Sequence, residues 1–383
     1  MEIRVSKKEL QRAVSVTRRA LSKVIIQQER GHILMSVSDG KMVVSGTNND
    51  LKALCVVDVQ CSGGGRAEFT ADPKILGNVL NKVDLAEVTM SYDEGEQSVK
   101  VYTADGGSSF ATLQSFPASM MLSFTPNTNR QATPVPRAML QSSLDYAVRY
   151  LSKMTEDSRN FDIVTVSKGI MYAANGLNML GFMVSKSLEA VSDLRLRKAV
   201  IPMLSGVLKE IDDETVSVIQ TASEVGIETP SAYFTALKPA AEPPSVPTEL
   251  IKSEGPHTVV DRKLLLRHLD RLAISHTGTP GIIGIDITVG GAGDSSYIDM
   301  SLQSSKSIER VPCQRVDDGN AEPVTHMVEY KILKAVLGSF EHGDRVRLHI
   351  NEEGGKSFKA YDKGTIGEDQ FVAVGIGGYA KLR

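Results

Sequence analysis

Tryptophan is absent from the 383 residues, and aromatic side chains make up only 5% of them. The chain therefore lacks the aromatic platform on which unpaired bases stack. Cysteine is almost as scarce: Cys55, Cys61 and Cys313 are odd in number and lack Cys-x-x-Cys spacing. Neither a disulfide framework nor a zinc site is indicated, and Cys55, inside an apolar run, reads as a small core residue. No stretch approaches the roughly 20 apolar residues that span a bilayer. The segment Met1–Lys8 goes straight into polar–apolar alternation, without a signal-peptide hydrophobic region. A cytoplasmic location and no membrane partner are expected.

Catalytic signatures are also missing. The histidines His32, His257, His268, His276, His326, His342 and His349 are scattered, with no metal-ligand spacing. Gly63-Gly64-Gly65 and the glycines at 375, 377 and 378 lack the strand and helix that a phosphate loop needs. No nucleophile elbow is present, and no carboxylate pair separates an acid from a base. A binding protein without cofactor or metal is the expectation, and an enzyme on a β-rich repeat is the least supported reading.

What is there is self-similarity. Three segments carry a short helix with a Leu-x-x-Val-Leu element or a close variant, at Ile75–Val83, Leu204–Ile211 and Leu333–Phe340, each followed by a strand and, in two of them, an acidic turn. Each is preceded by an earlier helix with apolar positions three and four apart. These earlier helices are Lys7–Lys23, Arg137–Lys153 and Asp261–Ala273, with Ser6 and Asp261 as N-caps for the first and third. Alternating strands follow, and Ser38-Asp39-Gly40-Lys41 is a hairpin turn. The Pro-, Ser- and Thr-rich stretches 121–136 and 239–257 read as extended linkers. An α+β chain of three repeated domains is predicted, over residues 1–125, 126–250 and 251–383, each with two helices packed on antiparallel sheets.

The charge is unevenly spread. The net charge is −3, yet residues 6–23 carry +5 and the six predicted helices together +11, leaving −14 for everything else. Basic residues often do no more than solvate a helix face. Five net-basic helices at matching places in repeats are harder to count as independent, and they define a positive surface if the repeats share an orientation. Such a surface attracts phosphate without reading sequence. No recognition-helix motif or zinc finger accompanies it.

Several stretches resemble the bacterial sliding clamps, the beta subunits of DNA polymerase III. They are Ile33–Thr47 (ILMSVSDGKMVVSGT), Gly107–Leu113 (GSSFATL), Ile170–Met179 (IMYAANGLNM) and Ala199–Pro202 (AVIP). The resemblance implies a head-to-tail homodimer of six domains around duplex DNA, with the helices lining the hole. It also implies a replicative DNA polymerase, a clamp-loader ATPase and other clamp-motif proteins as partners. On that reading the DNA-facing residues are Lys7, Lys8, Arg12, Arg18, Arg19, Lys23, Lys74, Lys82, Arg137, Arg149, Lys153, Arg267, Arg271, Lys331 and Lys334. A hydrophobic pocket for client peptides would involve Phe161, Ala174, Gly176, Leu177, Met179, Pro239, Val246, Val374 and Ile376. Phe110 of one subunit would meet Ala273 and Ile274 of the other.

The chain departs from the family at three places. Ala174–Met179 (ANGLNM) stands where Thr-Asp-Gly-His-Arg-Leu is usual, Lys23–Arg30 replaces an Arg-Pro and a Pro-Ile-Leu element, and the ending Gly378–Arg383 lacks Met-Pro-x-Arg-Leu. A second expectation follows: a divergent, phage-, plasmid- or paralogue-type clamp acting as a protein-binding scaffold without efficient sliding on DNA.

Overall fold

The computed structural model describes the chain outside residues 22–30, 49, 63–64, 104–108, 153–162, 176–178, 241–256, 276–282, 292–294, 303–306, 317–323, 341–342, 351–356, 367–368 and 379–383. Six α-helices lie among the described residues: α1 (Lys7–Thr17), α2 (Pro73–Lys82), α3 (Arg137–Ser152), α4 (Ile201–Glu210), α5 (Arg262–Ile274) and α6 (Tyr330–Ser339). They fall two to each predicted segment. The caps follow the sequence: Ser6 accepts from the Glu9 amide and Asp261 from the Leu264 amide. Asp72 caps α2, with Pro73 at the first helical position, where its missing N–H costs nothing.

The first helix is shorter than its periodicity suggests. It stops at Thr17, tightens into a 3₁₀ turn over Arg18–Ala20, and Leu21 is extended. The β-branched pair Val16-Thr17 explains this in part, because the Thr17 hydroxyl bonds back to the Ala13 carbonyl at 2.7 Å. Lys23 lies outside the described residues.

The chain divides into two units, one of residues 1–137 and 199–238, the other of 138–198 and 239–383. The first is built on one antiparallel sheet whose strands run in the order Phe110–Gln114, Ser98–Tyr102, Glu87–Asp93, Glu2–Ser6, Leu51–Ser62, Ala232–Leu237, Glu224–Glu228, Thr215–Gln220 and Gln131–Pro136. Lys41–Thr47, Ile33–Ser38 and Ala67–Ala71 extend it from the long strand Leu51–Ser62. The second unit has its own antiparallel sheet, from Leu194–Arg197 through Met179–Ser185, Asp369–Gly378 and His257–Asp261 to the edge strand Val324–Glu329. The middle segment is thus shared. Its Ala232–Leu237 strand pairs with Leu51–Ser62, and its Met179–Ser185 strand pairs with Asp369–Gly378.

The Ser38–Lys41 hairpin has the backbone its sequence demands, with φ of 50° at Asp39 and 73° at Gly40. The stretch 121–136 is only partly the linker predicted for it. Gln131–Pro136 is a strand, hydrogen-bonded to Thr215–Gln220. Two prolines fit there because the strand ends the sheet, where one side of the ladder needs no donors.

One contact recurs in all three segments. The first residue of each leading helix carries a cation that bonds carbonyls at the end of the following helix. Lys7 Nζ bonds the Val83 carbonyl, and Arg137 bonds the carbonyls of Leu208 at 3.2 Å and Asp213 at 2.8 Å. Arg262 bonds those of Phe340 at 2.7 Å and Gly343 at 3.0 Å. The backbone amides of the same three residues donate to Ala86, Glu214 and Asp344. Carbonyls at a helix C-terminus lack intrahelical donors and carry partial negative charge, so a cation there satisfies both needs.

Candidate nucleic-acid interface

In the first unit α1 lies against α2 and α4. The three helices frame an open groove of about 520 Å³, lined by Lys8, Arg12, Arg18, Lys74 and Lys209, with Gln11, Ser15, Asn78 and Asn81 between them. Two carboxylates, Glu210 and Asp212, are also on its wall. The apolar sides of the helices explain the orientation: Leu10, Ala13 and Val14 of α1 and Leu76 and Leu80 of α2 are buried, which turns the charged positions outward. In the second unit α5 lies against α6 by the same logic, with Leu265, Leu269 and Leu272 buried.

The fifteen cations picked out from the sequence divide by what their charged ends touch. Arg18, Lys74, Lys82, Arg267 and Lys331 are exposed and have no ion-pair partner among the described residues. Lys8, Arg19, Arg271 and Lys334 pair with Asp212, Glu210, Glu309 and Asp270, and Arg12 lies 3.9 Å from Glu9. Lys7, Arg137 and Arg149 instead bond backbone carbonyls, Arg149 reaching Ser339 at 3.2 Å. Lys23 and Lys153 lie outside the described residues. Lys209 was missed: its helix sums to zero charge, which hid a cation on the groove wall.

Some of the residues named for a peptide pocket are described. Val374 and Ile376 are buried in an apolar cluster with Tyr172, Phe182 and Tyr361, and Ile170 and Val372 pack against it. The rings of Tyr172 and Phe182 stack at 5.1 Å, and burial pushes the Tyr172 hydroxyl above its usual range. The strand register sets Leu180 opposite Ile376 and Phe182 opposite Val374. Ala174 and Met179 lie on the neighbouring strands, and Pro239 is buried. Phe161, Gly176, Leu177 and Val246 lie outside the described residues.

Several large apolar side chains are exposed among the described residues, and Phe110 and Ile274, named for the subunit contact, are among them. Phe110 is 50% exposed on the edge strand of the first sheet, its ring set against Tyr102 with the Lys100 ammonium 5.2 Å from its centre. Ile274, the last residue of α5, is 85% exposed, and Ala273 beside it is half-buried. Ile308 is 66% exposed at the start of the strand Ile308–Val316, and its neighbour Glu309 binds His268 and Arg271 of α5. Strand alternation alone gave no reason to single out Ile308. No cluster of three potential metal ligands occurs among the described residues, and no helix there is long and apolar enough to cross a membrane.

The chain has the fold of the bacterial sliding clamps. It superimposes over the full length of both chains on DNA polymerase III beta subunits from Pseudomonas aeruginosa (TM-score 0.78, 16% identity) and Thermotoga maritima (TM-score 0.77, 15% identity). The sliding clamp of Bacillus subtilis matches as completely, with a TM-score of 0.75 at 15% identity. No family model and no curated protein matches the sequence. The resemblance read from four short stretches therefore extends, as a fold, over the whole chain.

Proposed function

We propose that this chain is a non-catalytic DNA sliding clamp, a head-to-tail dimer that closes around duplex DNA and tethers a replicative polymerase and other clients. The observation that carries this reading is the groove framed by α1, α2 and α4, where five cations alternate with small polar side chains. Cations spaced along helices, without recognition residues or stacking rings, hold phosphates and read no bases. Topological closure then supplies the retention that such weak contacts do not. A loader ATPase is needed to open a closed ring, and cytoplasmic replication is the setting this reading requires. The three-domain division at residues 125 and 250 belongs to it, since six such domains complete the ring.

Client motifs would dock on the surface above the buried apolar cluster of Tyr172, Phe182, Val374 and Ile376, which would serve as a firm floor. The dimer would form where the Phe110 edge strand of one protomer meets Ile274 and Ile308 of its partner. An unpaired strand edge next to an exposed aromatic ring favours association.

Retention on DNA tests the reading. Loaded onto nicked circular DNA by a clamp loader, the protein should stay bound through gel filtration at high salt and be lost after the circle is linearised. Equal loss from both forms would favour the scaffold reading, in which partners bind and DNA is not encircled.

A further inference from the structure

Three cations that the DNA reading relies on are already held by carboxylates of a neighbouring helix or its end. Lys8 Nζ is 3.1 Å from Asp212 Oδ2, Arg19 Nη2 is 3.3 Å from Glu210 Oε1, and Lys334 Nζ is 2.6 Å from Asp270 Oδ1. In the first unit, Glu210 and Asp212 are the carboxylates that line the groove. We propose that Glu210, Asp212 and Asp270 are built-in competitors for phosphate, which set how firmly the helical face holds duplex DNA. The inference rests on the DNA reading and deepens it.

Two features separate these pairs from simple helix-to-helix ties. First, two of them are open to water: the side chains of Lys8 and Asp212 are 83% and 70% exposed and those of Lys334 and Asp270 45% and 49%, whereas the Arg19–Glu210 pair is partly buried. Exposed pairs of long side chains contribute little to folding and exchange readily. A passing phosphate can therefore take the ammonium from the carboxylate in a one-for-one exchange of anions. Second, two of the carboxylates keep a hydroxyl donor that does not depend on the cation. Ser15 Oγ donates to Glu210 at 2.7 Å, and the Tyr330 hydroxyl donates to Asp270 at 2.8 Å. These acids stay oriented when the cation swings out and are in place to receive it again. The hydrogen bond and charge of Lys8 hold Asp212 below the usual carboxylate range, so it remains an anion throughout the neutral range.

The consequence is a grip weaker than the number of cations implies. Each phosphate contact displaces a carboxylate as well as a counterion, and the displaced anion then repels the phosphate it faces. A cation moving between phosphates always has a resting partner, which lowers the barrier to sliding. Arg18 and Lys74, without such partners among the described residues, make up the unmodulated part of the same face.

The test uses the full chain and a labelled random-sequence 30-base-pair duplex, with fluorescence anisotropy between 50 and 200 mM salt. The variant Glu210→Gln/Asp212→Asn/Asp270→Asn should bind about tenfold more tightly at the middle of that range. Its slope of log affinity on log salt should steepen by about 0.9 for each cation released. Asp212→Asn alone, at a surface site, should give a smaller shift in the same direction and covers the case in which the triple variant fails to fold. Arg18→Glu/Lys74→Glu is the control for the DNA reading itself. If this control binds as the wild type does, the DNA reading fails and the proposal falls with it. If the control weakens binding while Asp212→Asn and a folded triple variant leave affinity and slope unchanged or lower, the proposal alone is overturned.

Discussion

Arg262 donates from Nη1 to the carbonyl of Phe340 at 2.7 Å, joining the first residue of α5 to the end of α6. Arg137 does the same between α3 and α4, and Lys7 between α1 and α2. The three bonds fall at matching places in segments with little sequence in common. They show how the repeat is kept: a cation at the start of one helix fixes the end of the next, and the amide beside it ties down the following loop. Two of these three residues belong to the basic set read from the sequence, yet their charge is spent within the fold.

That role predicts a stability effect for Arg262. In Arg262→Leu the aliphatic bulk remains while charge-assisted bonds to Phe340 and Gly343 are lost, leaving partly buried carbonyls without donors. A loss of about 2 kcal/mol is expected, read as a lower urea midpoint by circular dichroism. Arg137→Leu should behave alike and leave the salt dependence of DNA binding unchanged. A drop in that slope without a change of midpoint would place Arg137 on the DNA surface instead.

Acid should act through Asp270. Partial burial pushes its carboxyl upward, but hydrogen bonds from Lys334 and Tyr330 outweigh burial and hold it below the usual carboxylate range. A lowered folded pKa favours the charged form, so this contribution is present above about pH 4 and fades as the pH falls through the folded value. The site is half exposed, which limits the effect to about 1 kcal/mol. Asp270→Asn should therefore be less stable than wild type at pH 7, and the gap should close below pH 4. A gap that does not vary with pH would assign the loss to packing.

Much of the fold was legible because its signals are local. The i, i+3, i+4 spacing of Leu140, Leu144, Val148 and Leu151 marks α3, and Asp39-Gly40 marks a turn that needs positive φ at both positions. The pairing of Leu51–Ser62 with Ala232–Leu237 was not legible, since no local pattern records a partner about 180 residues away. The strand Gln131–Pro136 was hidden by its prolines, which exclude a central strand but not an edge. At the candidate interface, summed charge found the right helices. It could not separate Arg18, which faces solvent, from Arg137, whose guanidinium bonds a helix end.

The cysteines give a chemical check on the first sheet. Cys55 is fully buried, and burial pushes its thiol up to about 12, against a weaker opposing pull from Arg12. Cys313 is partly covered and pushed up to about 11, again chiefly by burial, whereas Cys61 is exposed on the same strand as Cys55. At pH 7.5 a disulfide reagent should label Cys61 first, Cys313 slowly and Cys55 only after denaturation. Early labelling of Cys55, mapped by peptide mass, would mean that the strand alternates in the opposite sense.

The proposed ring makes its sharpest demand at Phe110. The chain weighs 41.4 kDa, so light scattering should give twice that mass if the first-sheet edge of one protomer meets the α5 end of another. Phe110→Asp places a charge on a half-exposed ring position at the sheet edge, beside Tyr102 and Lys100. Ile274→Asp does the same at the opposite surface. Each variant alone should yield a folded monomer with unchanged circular dichroism. Mixing the two should partly restore dimers, because one heterologous contact would be spoiled twice while the other is intact. Dimers that persist in both variants would move the interface elsewhere on the chain. Monomers that fail to recombine on mixing would show that Phe110 and Ile274 face something other than each other.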